Sequence, residues 1–245
     1  MRKDRTPATA VKICGFKELE HVKQAAKLGI TQMGFIFAPS KRQVEAEFVR
    51  RASLELDQLV EQDASQGEHT KPELVGVFVN PAMDELKQVM REIQLDVIQL
   101  HGQESPSFCQ SCKTAFKAKV WKVFSLKRSE DSAEEQTELR PITVLKPYAG
   151  LIDAVLLDTH DPVYGGGSGK SFNWEIIPEW KEAAEQIGVP LYVAGGLDAE
   201  NVVELLDTYA PHGVDISSGV ESNGVKDNMK MTAFMERVRS IATSS

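Results

Sequence analysis

Long apolar runs are missing from this sequence: no stretch approaches the ~20 residues that a bilayer-spanning helix needs, which excludes a helical membrane protein. Cysteine is scarce. The three present, Cys14, Cys109 and Cys112, are too few and oddly numbered for a disulfide framework and fit a reducing compartment. A basic excess is missing as well. The net charge is −8 and no stripe of Lys or Arg forms, which argues against a nucleic-acid surface, because such binding rests on neutralising phosphates. An anionic ligand would therefore need a locally positive site against an acidic background. The first ten residues are polar and basic and lack the apolar core of a secretory signal, so a cytoplasmic protein is expected.

What is present is a chain of 245 residues, 42% hydrophobic and 26% charged, the balance of an ordinary soluble globular protein. Apolar runs rich in Val, Ile and Phe recur at 10–14, 33–37, 74–79, 97–100, 119–124, 154–158, 191–194 and 213–216, and each reads as a buried strand. Helical spacing lies between them, for example at 18–28, 45–60, 83–93 and 199–209, and a last helix at 229–241 closes the chain. Strand followed by helix, repeated eight times, predicts an α/β fold of the (β/α)8 TIM-barrel type, with residues 1–245 as one domain. A doubly wound open sheet shares the alternation and is the structural alternative. Residues 61–72 and 128–147 are polar and acidic and are expected to be solvated insertions or irregular helices.

A parallel barrel assembles its site at the C-terminal ends of its strands. That rule selects Cys14, Arg42, His101, Asp158, Gly195, Gly196, Asp215, Ser217, Ser218 and Gly219. Strand alternation puts Lys12 and Cys14 on one face. A nearby ammonium favours the thiolate, which can serve as general base, whereas a lone cysteine is otherwise a small buried hydrophobe. Asp158 closes the apolar run Ala-Val-Leu-Leu and can either keep and donate a proton or order its loop. His160 and Asp161 follow it, but no cluster with ligand spacing accompanies them, and no metal is expected.

The run Tyr-Gly-Gly-Gly-Ser-Gly-Lys-Ser at 164–171 nearly matches a phosphate-binding P-loop but carries Tyr164 where the first glycine must stand. It reads better as a lid that covers a substrate, with a plain linker as the alternative. Gly195 and Gly196 after the seventh strand, and Ser217, Ser218 and Gly219 after the eighth, stand where barrels hold phosphate: glycine lets backbone N–H groups approach closely. Either loop alone would equally be a turn with a helix cap. Cys109 and Cys112 form a CxxC with no second pair, inside an expected helix, so a metal or redox role is disfavoured. His101 could touch substrate or be structural, and it is left outside the catalytic set.

These residues fall in recognisable strings: Lys-Ile-Cys-Gly at 12–15, Gly-Phe-Ile-Phe then Ser-Lys-Arg within 34–42, Val-Gly-Val-Phe-Val-Asn at 75–80 and Gln-Leu-His-Gly at 99–102. Leu-Leu-Asp-Thr at 156–159, Gly-Ser-Gly-Lys at 167–170 and Asp-Ile-Ser-Ser-Gly-Val-Glu at 215–221 follow in order. In this the chain resembles the phosphoribosylanthranilate isomerase family, from the first strand to the eighth. The resemblance implies an Amadori rearrangement of N-(5-phosphoribosyl)anthranilate to 1-(o-carboxyphenylamino)-1-deoxyribulose 5-phosphate, a step of tryptophan biosynthesis that uses no cofactor. It implies Cys14 as general base, Asp158 as general acid, Arg42 on the anthranilate carboxylate and Asp215 on the anilino nitrogen, with the 195–196 and 217–219 loops on the phosphate.

A small-molecule substrate is the expected partner, with no nucleic acid or membrane, on a monomer or weak homodimer. The glycine run at 165–167 is one residue longer than the family pattern, and the N-terminal extension and the two polar stretches also depart from it. The competing readings are another phosphosugar barrel, such as a histidine-pathway isomerase, or a non-catalytic phosphate-ligand sensor.

Overall fold

The computed structural model of the protein describes residues 9–63, 70–126, 140–159 and 172–244. Eight parallel strands form a closed barrel in sequence order: β1 (Ala10–Cys14), β2 (Gln32–Ile36), β3 (Glu73–Phe78), β4 (Val97–Leu100), β5 (Lys119–Leu126), β6 (Ala154–Thr159), β7 (Leu191–Val193) and β8 (Gly213–Ile216). Closure comes from β8 pairing with β1, with Val11 beside Val214 and Lys12 beside Asp215. That pairing excludes the doubly wound open sheet, whose edges stay apart.

Around the barrel run α1 (Leu19–Lys27), α2 (Ala46–Asp63), α3 (Met83–Glu92), α4 (Pro106–Ala115), α5 (Pro141–Leu145), α6 (Ile177–Gln186), α7 (Val202–Tyr209) and α8 (Asn228–Ser244). A small antiparallel ribbon, β9 (Glu221–Ser222) with β10 (Val225–Lys226), stands between β8 and α8. No helix among the described residues is long and apolar enough to cross a membrane.

The strands read as continuous apolar runs because each is covered twice, inside by the barrel core and outside by helices. Inward-facing Val75, Val97, Trp121, Val123, Ala154, Leu156, Tyr192 and Ala194 form an inner cluster. The Trp121 and Tyr192 rings lie 4.4 Å apart within it. The larger outer cluster joins Ile13, Met33, Phe35, Ile98 and Val155 to helix residues such as Val22, Leu86 and Phe234. Strand ends agree with the sequence expectation to within a residue or two.

Of the two forms expected for the 128–147 stretch, its described end takes the helical one. Its described end, residues 140–147, contains α5, whose Pro141 and Leu145 are buried and which packs against α6. Four apolar positions in Pro-Ile-Thr-Val-Leu suffice to dock a single turn, although the acidic residues before them mask the pattern. Residues 61–63 likewise continue α2. The rest of both stretches (64–69 and 127–139), the N-terminal residues 1–8 and the glycine-rich run lie outside the described residues.

Candidate active site

One cavity of 270 Å³ opens at the C-terminal end of the barrel. Its lining includes Cys14, Arg42, His101, Asp158, Gly195, Gly196, Asp215, Ser217 and Ser218, residues contributed by the ends of six different strands or the loops after them. The strand-end rule therefore brings together residues distant in sequence, such as Cys14 and Ser217, which are 203 positions apart. The lid run at 164–171, with His160 and Asp161, lies outside the described residues.

Cys14 ends β1 facing inward, and its sulfur occupies space that a side chain at position 34 would need. A Cβ on Gly34 would stand 2.6 Å from Sγ and 3.0 Å from the Cys14 Cα, so β2 carries glycine there to admit the thiol. As expected, Lys12 favours the thiolate, but it is outweighed. Lys12 does share the inner face, but its ammonium donates to Asp215 Oδ2 at 2.6 Å and is fully buried. Burial alone would lower Lys12; the charge of Asp215, and then that of Cys14, outweigh it and hold the ammonium above its ordinary value. Because the charge of Lys12 is largely matched by Asp215, its pull on the sulfur is partial. Burial wins and pushes the Cys14 thiol up.

Asp215 is itself buried, and burial pushes its carboxyl up against the opposing pull of Lys12. Its Oδ1 is buried with no partner among the described residues. An acceptor aimed into a cavity and left unmatched is unfavourable unless a ligand completes it.

Asp158 ends the apolar part of β6. Its Oδ1 accepts from the Thr159 N–H at 2.7 Å, and its Oδ2 lies 3.3 Å from His101 Nε2. The Thr159 amide thus occupies one oxygen and leaves the other toward His101 and the cavity. His101, kept outside the catalytic set above, stands in direct contact with the proposed acid. Its position just past β4 was the signal. Gln99, two residues earlier on the same face, also lines the cavity and was missed.

The loops after β7 and β8 pack on each other. A Cβ on Gly219 would collide with the Leu197 carbonyl oxygen, so only glycine permits this approach. Gly195 and Gly196 both take positive φ, 87° and 66°, and their amides join no backbone hydrogen bond among the described residues. Asn201 Nδ2 donates to the Gly196 carbonyl at 2.8 Å, which engages that oxygen within the turn. The Ser217 hydroxyl donates to the Cys14 carbonyl at 3.0 Å, tying β8 to β1.

Arg42 lies in the loop after β2 and lines the cavity. It passes over Gly15, where a Cβ would stand 2.7 Å from Arg42 Cδ, and reaches Glu221 just beyond the 217–219 turn. Nε and Nη2 each donate to a Glu221 oxygen at 2.8 Å. That hydrogen-bonded pair raises Arg42 further above its ordinary value. A second ion pair below the rim, Lys122 to Glu104 at 2.9 Å, is also buried. The Glu104 carboxylate accepts from the amides of Asn80 and Gly102, fixing the turns after β3 and β4. Neither pairing was visible in the sequence, because the partners become neighbours only when the barrel closes.

Residues 11–237 match the N-(5'-phosphoribosyl)anthranilate (PRA) isomerase family. The N-(5'-phosphoribosyl)anthranilate isomerase of Brevibacillus brevis is 42% identical over 231 residues, 94% of this chain and 94% of that protein. Among solved structures, monomers of the dimeric phosphoribosylanthranilate isomerase of Thermotoga maritima superpose with a TM-score of 0.72 at 29% identity, covering 95% of this chain and 99% of that one. A phosphoribosylanthranilate isomerase in complex with reduced 1-(o-carboxyphenylamino)-1-deoxyribulose 5-phosphate gives 0.71 at 28%, over 95% and 99%. A fold, a family match over nearly the whole chain and a cavity at the right end of the barrel agree: the chain belongs to the phosphoribosylanthranilate isomerase family, the TIM-barrel isomerases of tryptophan biosynthesis.

Proposed function

We propose that this chain converts N-(5'-phosphoribosyl)anthranilate to 1-(o-carboxyphenylamino)-1-deoxyribulose 5-phosphate with Cys14 as general base and Asp158 as general acid. Family membership carries the isomerase activity. The observation that supports the residue roles is the single cavity lined by Cys14, Asp158, Arg42, Asp215 and the two glycine-containing loops.

Asp158 gives a proton to the furanose ring oxygen, the C1–O bond breaks, and a Schiff base forms at C1. Cys14 then takes the proton from C2, and the electron pair moves into the C1–N imine to give an enolamine. Tautomerisation of that enolamine yields the C2 ketone. The substrate's own imine serves as the electron sink, so the residues need only move protons. Asp215 Oδ1, a buried acceptor without a partner among the described residues, suits the anilino N–H. The amides of Gly195 and Gly196, with those of the 217–219 turn, suit the phosphate. The engaged hydroxyl of Ser217 leaves its role there to backbone and to Ser218 and Gly219. Arg42 suits the anthranilate carboxylate, since a guanidinium edge grips a carboxylate with two parallel bonds.

We assign the chain to one domain in the cytoplasm, acting on a small molecule, as a monomer or weak homodimer. The test is turnover followed by anthranilate fluorescence: Cys14→Ala and Asp158→Asn should each lower kcat by at least ~10²-fold with unchanged circular dichroism. Near-normal turnover in either variant would overturn the assignment of that residue.

A further inference from the structure

The ribbon formed by β9 and β10 has no part in the chemistry above, yet it holds two buried, paired charges next to a residue that lines the cavity. Glu221 lies on β9 and Lys226 on β10, paired across the ribbon in register. Glu221 is 9% exposed and Lys226 only 4%. The Glu221 carboxylate accepts from Arg42 Nε and Nη2 at 2.8 Å each and from Lys226 Nζ at 2.7 Å. Lys226 also donates to the Ser217 carbonyl at 2.9 Å. Arg42, the far member of this chain of contacts, lines the cavity, whereas Glu221 and Lys226 do not.

Two features of this cluster matter. A guanidinium carries five N–H groups in one plane, and a side-on pair through Nε and Nη2 leaves the Nη1/Nη2 edge open to a second carboxylate. A lone Glu221 would cancel the charge of Arg42, but Lys226 neutralises Glu221, so the cluster Arg42, Glu221 and Lys226 sums to one positive charge. We propose that Glu221 and Lys226 are positioning residues for substrate recognition: Glu221 fixes the plane of the Arg42 guanidinium so that its open edge meets the anthranilate carboxylate, and Lys226 restores the positive charge that Glu221 would otherwise remove.

This inference rests on the reading of Arg42 as the carboxylate clamp. Burial would raise Glu221, but the hydrogen bonds from Arg42 and the charge of Lys226 hold it below its usual range, so it stays ionised at working pH. The opposite role is a resident anion that the substrate must displace from Arg42. The two roles predict opposite signs when the charge of Glu221 is removed.

The experiment is steady-state kinetics on the wild type, Glu221→Gln, Arg42→Met and the double variant, with phosphoribosylanthranilate and with the phosphoribosyl aniline that lacks the carboxylate. Glu221→Gln should raise KM for the anthranilate substrate about tenfold, the scale of a weakened charge-assisted contact, while kcat stays within about threefold. It should leave kcat/KM for the aniline within about twofold, and it should add nothing in the Arg42→Met background, since the group it acts through is gone.

A lowered KM, an equal loss on both substrates, or a loss that persists without Arg42 would overturn the proposal. Arg42→Met failing to discriminate the two substrates would instead overturn the clamp itself. If Glu221→Gln does not fold, Lys226→Met reads the same proposal: KM should rise for the anthranilate substrate only, and a KM unchanged for it would overturn the assignment.

Discussion

Lys12→Met isolates the buried pair at the centre of the barrel. Lys12 is 0% exposed, and its ammonium donates to Asp215 Oδ2 at 2.6 Å. Methionine matches its length and leaves little void, so the effect falls on the charge left behind. Asp215 Oδ1 already lacks a partner; without Lys12 neither oxygen retains one among the described residues. Removing one member of a buried pair costs about 3–5 kcal/mol, because the surviving charge is uncompensated. At roughly 2–4 °C per kcal/mol for a chain of this size, Tm should fall by roughly 6–20 °C.

The pH dependence separates this from simple loss of packing. Burial already pushes the Asp215 carboxyl up, and Lys12 is the largest force opposing that push. In the variant its folded pKa rises further above the unfolded value of about 3.9. A carboxyl raised in the folded state contributes no penalty below its unfolded pKa and a growing one above it. In the wild type the carboxyl is raised as well, so the deficit should grow by about 1.4 kcal/mol per pH unit only between the folded value of the wild type and the higher one of the variant, and stay level outside that window. Urea unfolding of both proteins at pH 5 and pH 8 measures it directly. Lys12→Met combined with Asp215→Leu should regain most of the loss, since an apolar pair leaves no buried charge. A deficit below ~1 kcal/mol, or one equal at both pH values, would refute the claim that Asp215 depends on Lys12 for its charge.

Two further expectations follow from the cysteines. Burial pushes Cys14 up and a general base must be deprotonated, so kcat/KM should climb with pH beyond the ordinary thiol value of about 8.5; a plateau already reached at pH 7 would show that Cys14 is not the titrating base. Cys109 and Cys112 are both 0% exposed, and burial raises them to about 11 and about 12, so iodoacetamide should modify Cys14 alone in the folded protein and all three after unfolding. Peptide mass mapping that found Cys109 or Cys112 labelled first would contradict the packing of α4 against the barrel.

The uneven legibility of the site follows from what each kind of residue requires. Strands were readable because burial on two faces demands unbroken apolar runs, and the cavity residues because a parallel barrel has one productive end. The short helix α5 was hidden because one turn needs only Pro141 and Leu145 buried, a pattern too brief to stand out beside an acidic stretch. Charged partners were harder still. Arg42 and Glu221 lie 179 positions apart, and Lys12 and Asp215 lie 203 apart, so neither pair exists until β8 closes on β1. Yet Lys12 within Val-Lys-Ile and Asp215 within Val-Asp-Ile each announce a constraint, since a charge flanked on both sides by core residues must find its opposite nearby. Alternation assigns each to a face, and closure of the eight strands then sets β1 beside β8, which leaves Asp215 as the acid in register with Lys12. The same logic applied to Glu221, after β8, starts from one apolar flank only, Val220, with Ser222 on its other side. Its partner Arg42 lies in a loop, and only the side-chain geometry joins them.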